Sequence, residues 1–142
     1  MGRAETFEHT ADLGLRVFGE NPPDLFEAAA AGLFETIVAN LDQVRPVEAE
    51  EVILEAETIP DLFLAWLNEL IFRSETGHRL YSGFGVRIEE SQEWARLSAK
   101  IEGEPIDRDR HILDHEVKAA THHGVSVELV DEEWRAEVIL DI

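Results

Sequence analysis

The chain has no cysteine, which excludes a disulfide framework, a thiolate zinc site and a cysteine nucleophile. Basic residues are scarce: 12 Lys and Arg stand against 31 Asp and Glu, a formal net charge of −19. A surface that negative repels phosphate backbones, so strong direct binding of RNA or DNA is not expected. No apolar run is long enough to span a bilayer and no segment reads as a signal peptide, so the expectation is a cytoplasmic protein that does not enter membranes. Catalytic motifs are missing too. Ser82 in Tyr81-Ser82-Gly83 lacks the glycine two residues earlier that a hydrolase elbow uses, and Gly83-Phe84-Gly85 is neither a Walker loop nor a dinucleotide fingerprint. The expectation is a protein that is not an enzyme.

What is present suffices for one domain, residues 1–142, with enough chain to bury a core. Two short strands open it, residues 5–9 and 13–18, the second with Leu13, Leu15 and Val17 on one face. Thr10-Ala11-Asp12 forms the turn between them. Asn21 before Pro22, Pro23 and Asp24 predicts a helix to about Ala39, and Thr58 before Pro60 and Asp61 predicts a second to about Glu75, ended by Gly77. Both carry wide apolar faces. Strands are predicted over residues 44–57, with Pro46 marking an edge strand or an entry bend and Ile53 partly protected, and over 79–89, 93–103, 116–123, 125–130 and 134–142, with an irregular link at 107–114. Many strands and only two helices predict an α+β fold, two helices packed on a largely antiparallel sheet system.

The closing stretch Trp134-Arg-Ala-Glu-Val-Ile-Leu-Asp-Ile142 alternates apolar residues to its last position. That pattern predicts a tail held by packing, with the Ile142 carboxylate fixed beside the Asp141 side chain. Two carboxylates at one spot repel each other, and a cation relieves the repulsion. Asp12 is the candidate third donor. Oxygen-only ligation points to a hard divalent ion; calcium is preferred for its tolerant geometry, with magnesium and manganese as alternatives. Each residue also has an ordinary reading, Asp12 as a turn aspartate and Asp141 as a polar residue on an exposed strand face.

Adjacent His122 and His123 in a strand point to opposite faces, which argues against a shared zinc ion. His9 either packs or orients a ligand through a hydrogen bond. Lys118, alternating with Glu116 and His122, is either a cross-strand ion-pair partner or an exposed cation for a partner.

His9-Thr-Ala-Asp-Leu-Gly14, Asn68-Glu69-Leu70, Glu116-Val-Lys-Ala-Ala-Thr-His-His123 and the terminal nonapeptide, in this order, together resemble the archease family. His122 departs from it, since the family more often carries an aromatic such as tyrosine there. The resemblance implies a small α+β activator of the RtcB-type RNA ligase in tRNA splicing, which promotes guanylylation of the ligase and multiple turnover. It implies a calcium-type site at Asp12, Asp141 and the Ile142 carboxylate, and a ligase contact involving Lys118, with His9 and His123 as further candidates for contact or ligand orientation. It also implies an alternative role, a chaperone-like modulator that keeps a tRNA cytosine methyltransferase from aggregating.

Overall fold

The computed structural model describes residues 2–9 and 12–142, without the side chains of Glu8 and His9. In chain order the elements are β1 (Arg3–His9), β2 (Asp12–Gly19), α1 (Pro22–Ile37), β3 (Glu48–Ala56), α2 (Ile59–Gly77), β4 (Arg79–Glu90), β5 (Ala95–Pro105), β6 (Ala119–Val130) and β7 (Glu133–Asp141). The α+β expectation holds, with the strands divided between two antiparallel sheets, β1-β2-β7-β6 and β3-β5-β4. Each helix touches both sheets, α1 through β1, β2 and β4, and α2 through β6 and β3.

Period-two patterning sets which face of each sheet meets the helices. Leu15 and Val17 of β2 and Ala136, Val138 and Leu140 of β7 are fully buried. The helices add Phe26, Phe34, Phe63 and Trp66, all fully buried. The Phe26 and Phe63 rings meet edge to face at 5.2 Å, and the Trp66 indole donates to the Phe26 carbonyl at 2.9 Å, so the largest core side chain leaves no orphaned donor.

The helix starts follow the capping chemistry. Asn21 accepts from the Asp24 amide and Thr58 from the Asp61 amide, and Pro fills the first turn of each helix. The α2 end differs from expectation: Gly77 is its last residue, and the left-handed cap is His78 at φ 51°. At the α1 end, the amides of Asp114 and His115 donate to the carbonyls of Ile37 and Thr36, and Asn40 bonds the backbone of Arg110 and Ile112 on both sides. The irregular link before β6 therefore satisfies carbonyls that the helix end would otherwise leave open.

The same link is anchored at Glu104, only 5% exposed. Arg110 grips both its oxygens, at 2.6 and 2.9 Å, the Arg45 amide donates at 2.6 Å, and His111 Nε2 lies 3.1 Å away. His111, itself buried, accepts the Asp107 amide on Nδ1, which leaves Nε2–H as its donor toward Glu104. The Arg110 hydrogen bonds, against the opposing effect of burial, lower the Glu104 pKa from 4.5 to about 2. A depressed folded-state pKa contributes stability that is full above 4.5 and is lost as pH falls toward about 2. Thermal melting between about pH 6 and 2 should show a loss of stability over that window that Glu104→Gln reduces.

Four local expectations are corrected. Strand β3 starts at Glu48, and residues 41–43 form a short 3-10 turn before it. Ile53 is 71% exposed, because β3 is an edge strand and Ile53 lies on the sheet face away from the helices. The strands predicted over 116–123 and 125–130 are one strand that begins at Ala119. His122 and His123 lie in a part of it that has no ladder partner, so the alternation expected of them does not apply. Thr121 faces Ile139 and the next paired residue, Ser126, faces Glu137, so residues 122–125 bulge opposite Val138 alone, with Gly124 at φ 72° making the bend.

Candidate metal centre

Asp12 is the first residue of β2 and not part of the turn, whose Thr10 and Ala11 lie outside the described residues. In the ladder, His9 pairs with Asp12, Leu13 with Leu140 and Ala119 with Asp141. Continued one step beyond the Leu13–Leu140 pair, the register sets Asp12 opposite Asp141. The last row of the sheet thus runs His9, Asp12, Asp141, Ala119. Cβ atoms of directly opposed residues lie about 5 Å apart and project to the same face. Leu140 points into the core, so both aspartates project to the outer face, where each is partly exposed. The His9 side chain is outside the described residues.

The tail is held. Ile142 packs against the core cluster, and the Lys118 amide donates to the Asp141 carbonyl at 2.7 Å. That bond brings Lys118 beside Ile142. The Lys118 side chain is exposed and, among the described residues, has no ion pair; the pairing expected from alternation with Glu116 and His122 does not arise because Lys118 precedes the strand. Among the described residues no three His, Asp or Glu side chains form a metal-binding group. Asp12 and Asp141 provide two side chains, and among the described residues the main-chain carboxylate of Ile142, next to Asp141 in the chain, is the candidate third donor. Neither aspartate side chain has a hydrogen bond or ion pair among the described residues. Carboxylates without a counter-ion among the described residues are a donor set that fits a hard cation.

Next to this pair the outer face is closed. The Phe7 ring lies over Gly14, and a Cβ at residue 14 would overlap the ring atoms. The Arg16 guanidinium sits 4.7 Å from the Phe7 ring centre and bonds Glu137 at 2.7 Å and Glu5 at 3.3 Å. Further along, Arg3 stacks 3.9 Å from Phe18 and reaches Glu133 at 3.4 Å. The arginines here are engaged, so they do not neutralise the aspartates. Gly14→Ala should displace Phe7 and destabilise the fold by about 1–3 kcal/mol, read by chemical denaturation.

His123 is exposed in the bulge beyond Thr121, and His115 is exposed on the link. The Phe7–Gly14 contact was accessible from sequence, because a hairpin centred on residues 10 and 11 pairs them. Asn68 sits inside a quoted motif, but nothing in a helical sequence tells which strand its amide meets.

The profile of the archease protein family matches residues 5–142. The protein archease of Methanopyrus kandleri is 39% identical over 138 residues, 97% of this chain and 98% of that one. The protein archease of Pyrococcus abyssi is 38% identical over 143 residues, all of both chains. The solution structure of Methanobacterium thermoautotrophicum protein 1598 superposes with a TM-score of 0.84 at 32% identity and 98% coverage of each chain. The crystal structure of an archease, possible chaperone, from Thermotoga maritima has a TM-score of 0.62 at 20% identity, covering 97% of this chain and 96% of that one, a likeness of fold. The chain belongs to the archease family.

Proposed function

We propose that this protein activates an RtcB-type RNA ligase without being an enzyme itself, using a divalent cation, calcium foremost, held by Asp12, Asp141 and the Ile142 carboxylate. The observation that carries the reading is the register that sets Asp12 opposite Asp141, with the tail packed beside them. When bound, the ion supplies a hard positive centre for oxygen donors such as phosphate. The chain's own contribution is geometric and electrostatic. The neighbouring strands β2 and β7 carry the proposed donors at one end of the sheet, and Phe7 covers the adjoining face. The exposed Lys118 ammonium next to the tail offers a contact to an acidic group of the ligase, and the charge of −19 steers the protein toward a basic ligase cleft without competition for tRNA.

The experiment is single-turnover guanylylation of a ligase from the same source, with and without this protein, in calcium, magnesium or manganese. Faster guanylylation that needs both protein and ion supports the proposal. Equal rates with and without the protein reject it.

A second reading is a chaperone-like partner of a tRNA methyltransferase, a role in keeping with the description of the Thermotoga relative as a possible chaperone. It draws on a groove of about 310 Å³ whose apolar wall includes Ile37, Ile71, Ile106, Leu113 and Val117. Against it, the exposed large apolar residues Val47, Ile53, Phe72, Ile112 and Leu129 are spread along the chain, from the approach to β3 through α2 and the link to β6. Suppression of methyltransferase aggregation that persists in chelator would favour this reading over the first.

A further inference from the structure

Among the described residues, strand β6 has β7 on one side and no strand on the other. The backbone groups on an open edge need partners of another kind. At Ala120 the partner is Asn68, from the middle of α2. Its Nδ2 donates to the Ala120 carbonyl at 3.0 Å and its Oδ1 accepts the Ala120 amide at 2.9 Å. A side-chain amide carries the donor and acceptor of one peptide unit. Asn68 therefore pairs with Ala120 as one residue of a neighbouring strand would.

The stretch held this way is short. Ala119 faces Asp141, Ala120 faces Leu140 and Thr121 faces Ile139, after which the bulge at 122–125 breaks the ladder. Before Ala119 the chain is irregular. These three paired residues form an island between two unpaired segments, and the β6 side of the tail rests on it, through the Ala119–Asp141 pair and the bond from the Lys118 amide to the Asp141 carbonyl. Few backbone bonds hold such an island, so it is prone to open locally without global unfolding.

We infer that Asn68 is a positioning residue for the candidate metal centre: its paired hydrogen bonds lock residues 118–121 against the tail, and so fix Asp141 relative to Asp12 and Lys118 beside Ile142. The inference rests on the metal reading of Asp12, Asp141 and Ile142. A purely structural role makes a different prediction, because α2 packs on β6, where Ala120 is buried, with or without the Asn68 bonds. Loss of Asn68 would then lower stability throughout and leave the local geometry of the tail alone.

The test compares the full chain with Asn68→Ala and, as a control, Tyr81→Phe, which deletes a hydrogen bond to Glu50 in the other sheet. Calcium affinity is measured by calorimetry and amide exchange by NMR. Asn68→Ala should weaken calcium binding by about tenfold or more, the usual effect of losing a hydrogen bond that supports a ligand. It should also accelerate exchange at residues 118–121 and 141–142 while the amides of β2 and of residues 126–130 stay near the parent's rates. Tyr81→Phe should leave calcium affinity and tail exchange unchanged. Parental calcium affinity in Asn68→Ala, or exchange accelerated evenly across the molecule, overturns the inference. Should Asn68→Ala fail to fold, Asn68→Asp keeps the acceptor and loses the donor, and an intermediate effect at the tail is expected; none overturns the inference. If the parent binds no calcium, the metal reading falls, and local exchange at 118–121 alone then decides whether Asn68 positions the tail.

Discussion

Asp12→Ala and Asp141→Ala should each abolish the proposed stimulation of an RtcB-type ligase and leave the protein folded. The β2–β7 register, continued one step past Leu13–Leu140, makes the two residues cross-strand neighbours, and neither has a counter-ion among the described residues. Removing either one deletes a like-charge pair, so stability without metal should stay level or rise, by about 0.2–1 kcal/mol. Function moves the other way. Each substitution removes one of three proposed donors, and calcium affinity should fall by more than the ~10–100-fold typical of losing a residue that merely supports a ligand. A gain of stability joined to loss of activity separates this account from one in which the aspartates only shape the sheet. The readouts are denaturation midpoints in chelator and guanylylation rates in calcium. Full stimulation by both variants would remove the carboxylate pair from the mechanism.

Arg110→Ala has the largest expected effect on stability. Glu104 is buried, and Arg110 supplies two of its four short polar contacts. Orphaning a buried charge costs about 3–5 kcal/mol. The Arg45 amide and His111 remain as donors, which puts the cost near the lower end, about 3 kcal/mol, or a fall in Tm on the order of 10 °C. The control is Arg110→Ala with Glu104→Gln. Without the charge to orphan, the double variant should recover part of the loss, and the coupling between the sites measures the ion pair apart from packing. A Tm within a degree or two of the parent's for Arg110→Ala would mean that water or the remaining donors satisfy Glu104 alone.

Both results bear on what the sequence could reveal. The helices were legible because their signals are local: Asn21 and Thr58 cap, Pro22 and Pro60 fit the first turn, and the apolar stripe lies within one element. The opening hairpin and the alternation of the last strand were legible for the same reason. The division into two sheets was not, because strand alternation tells which face is apolar and says nothing of which strand lies alongside. Ile53 shows the limit: an apolar residue on the outer face of β3 reads as protected until the absence of a covering layer is known. The bulge at 122–125 was hidden because Gly124 supplies the left-handed bend while its neighbours still look like strand. The buried His111 was hidden because its partner Glu104 is just one of many glutamates.

For the candidate site, chemistry was more legible than architecture. Carboxylates on the tail suggested an oxygen site, but the proximity of Asp12 depends on β2 pairing with β7 across more than a hundred residues. That pairing is a property of the whole fold. Asn68 was less accessible still, because a helical asparagine at a half-buried position has no sequence feature that distinguishes a strand partner from a solvent-facing side chain.

The most direct measurement is a calorimetric titration of calcium into the chelator-treated protein and into Asp12→Ala and Asp141→Ala at about 0.15 M salt, where exposed charges are screened. One saturable site in the parent, lost in both variants, is the predicted result. No saturable binding in the parent, or binding of parental strength in either variant, would contradict it.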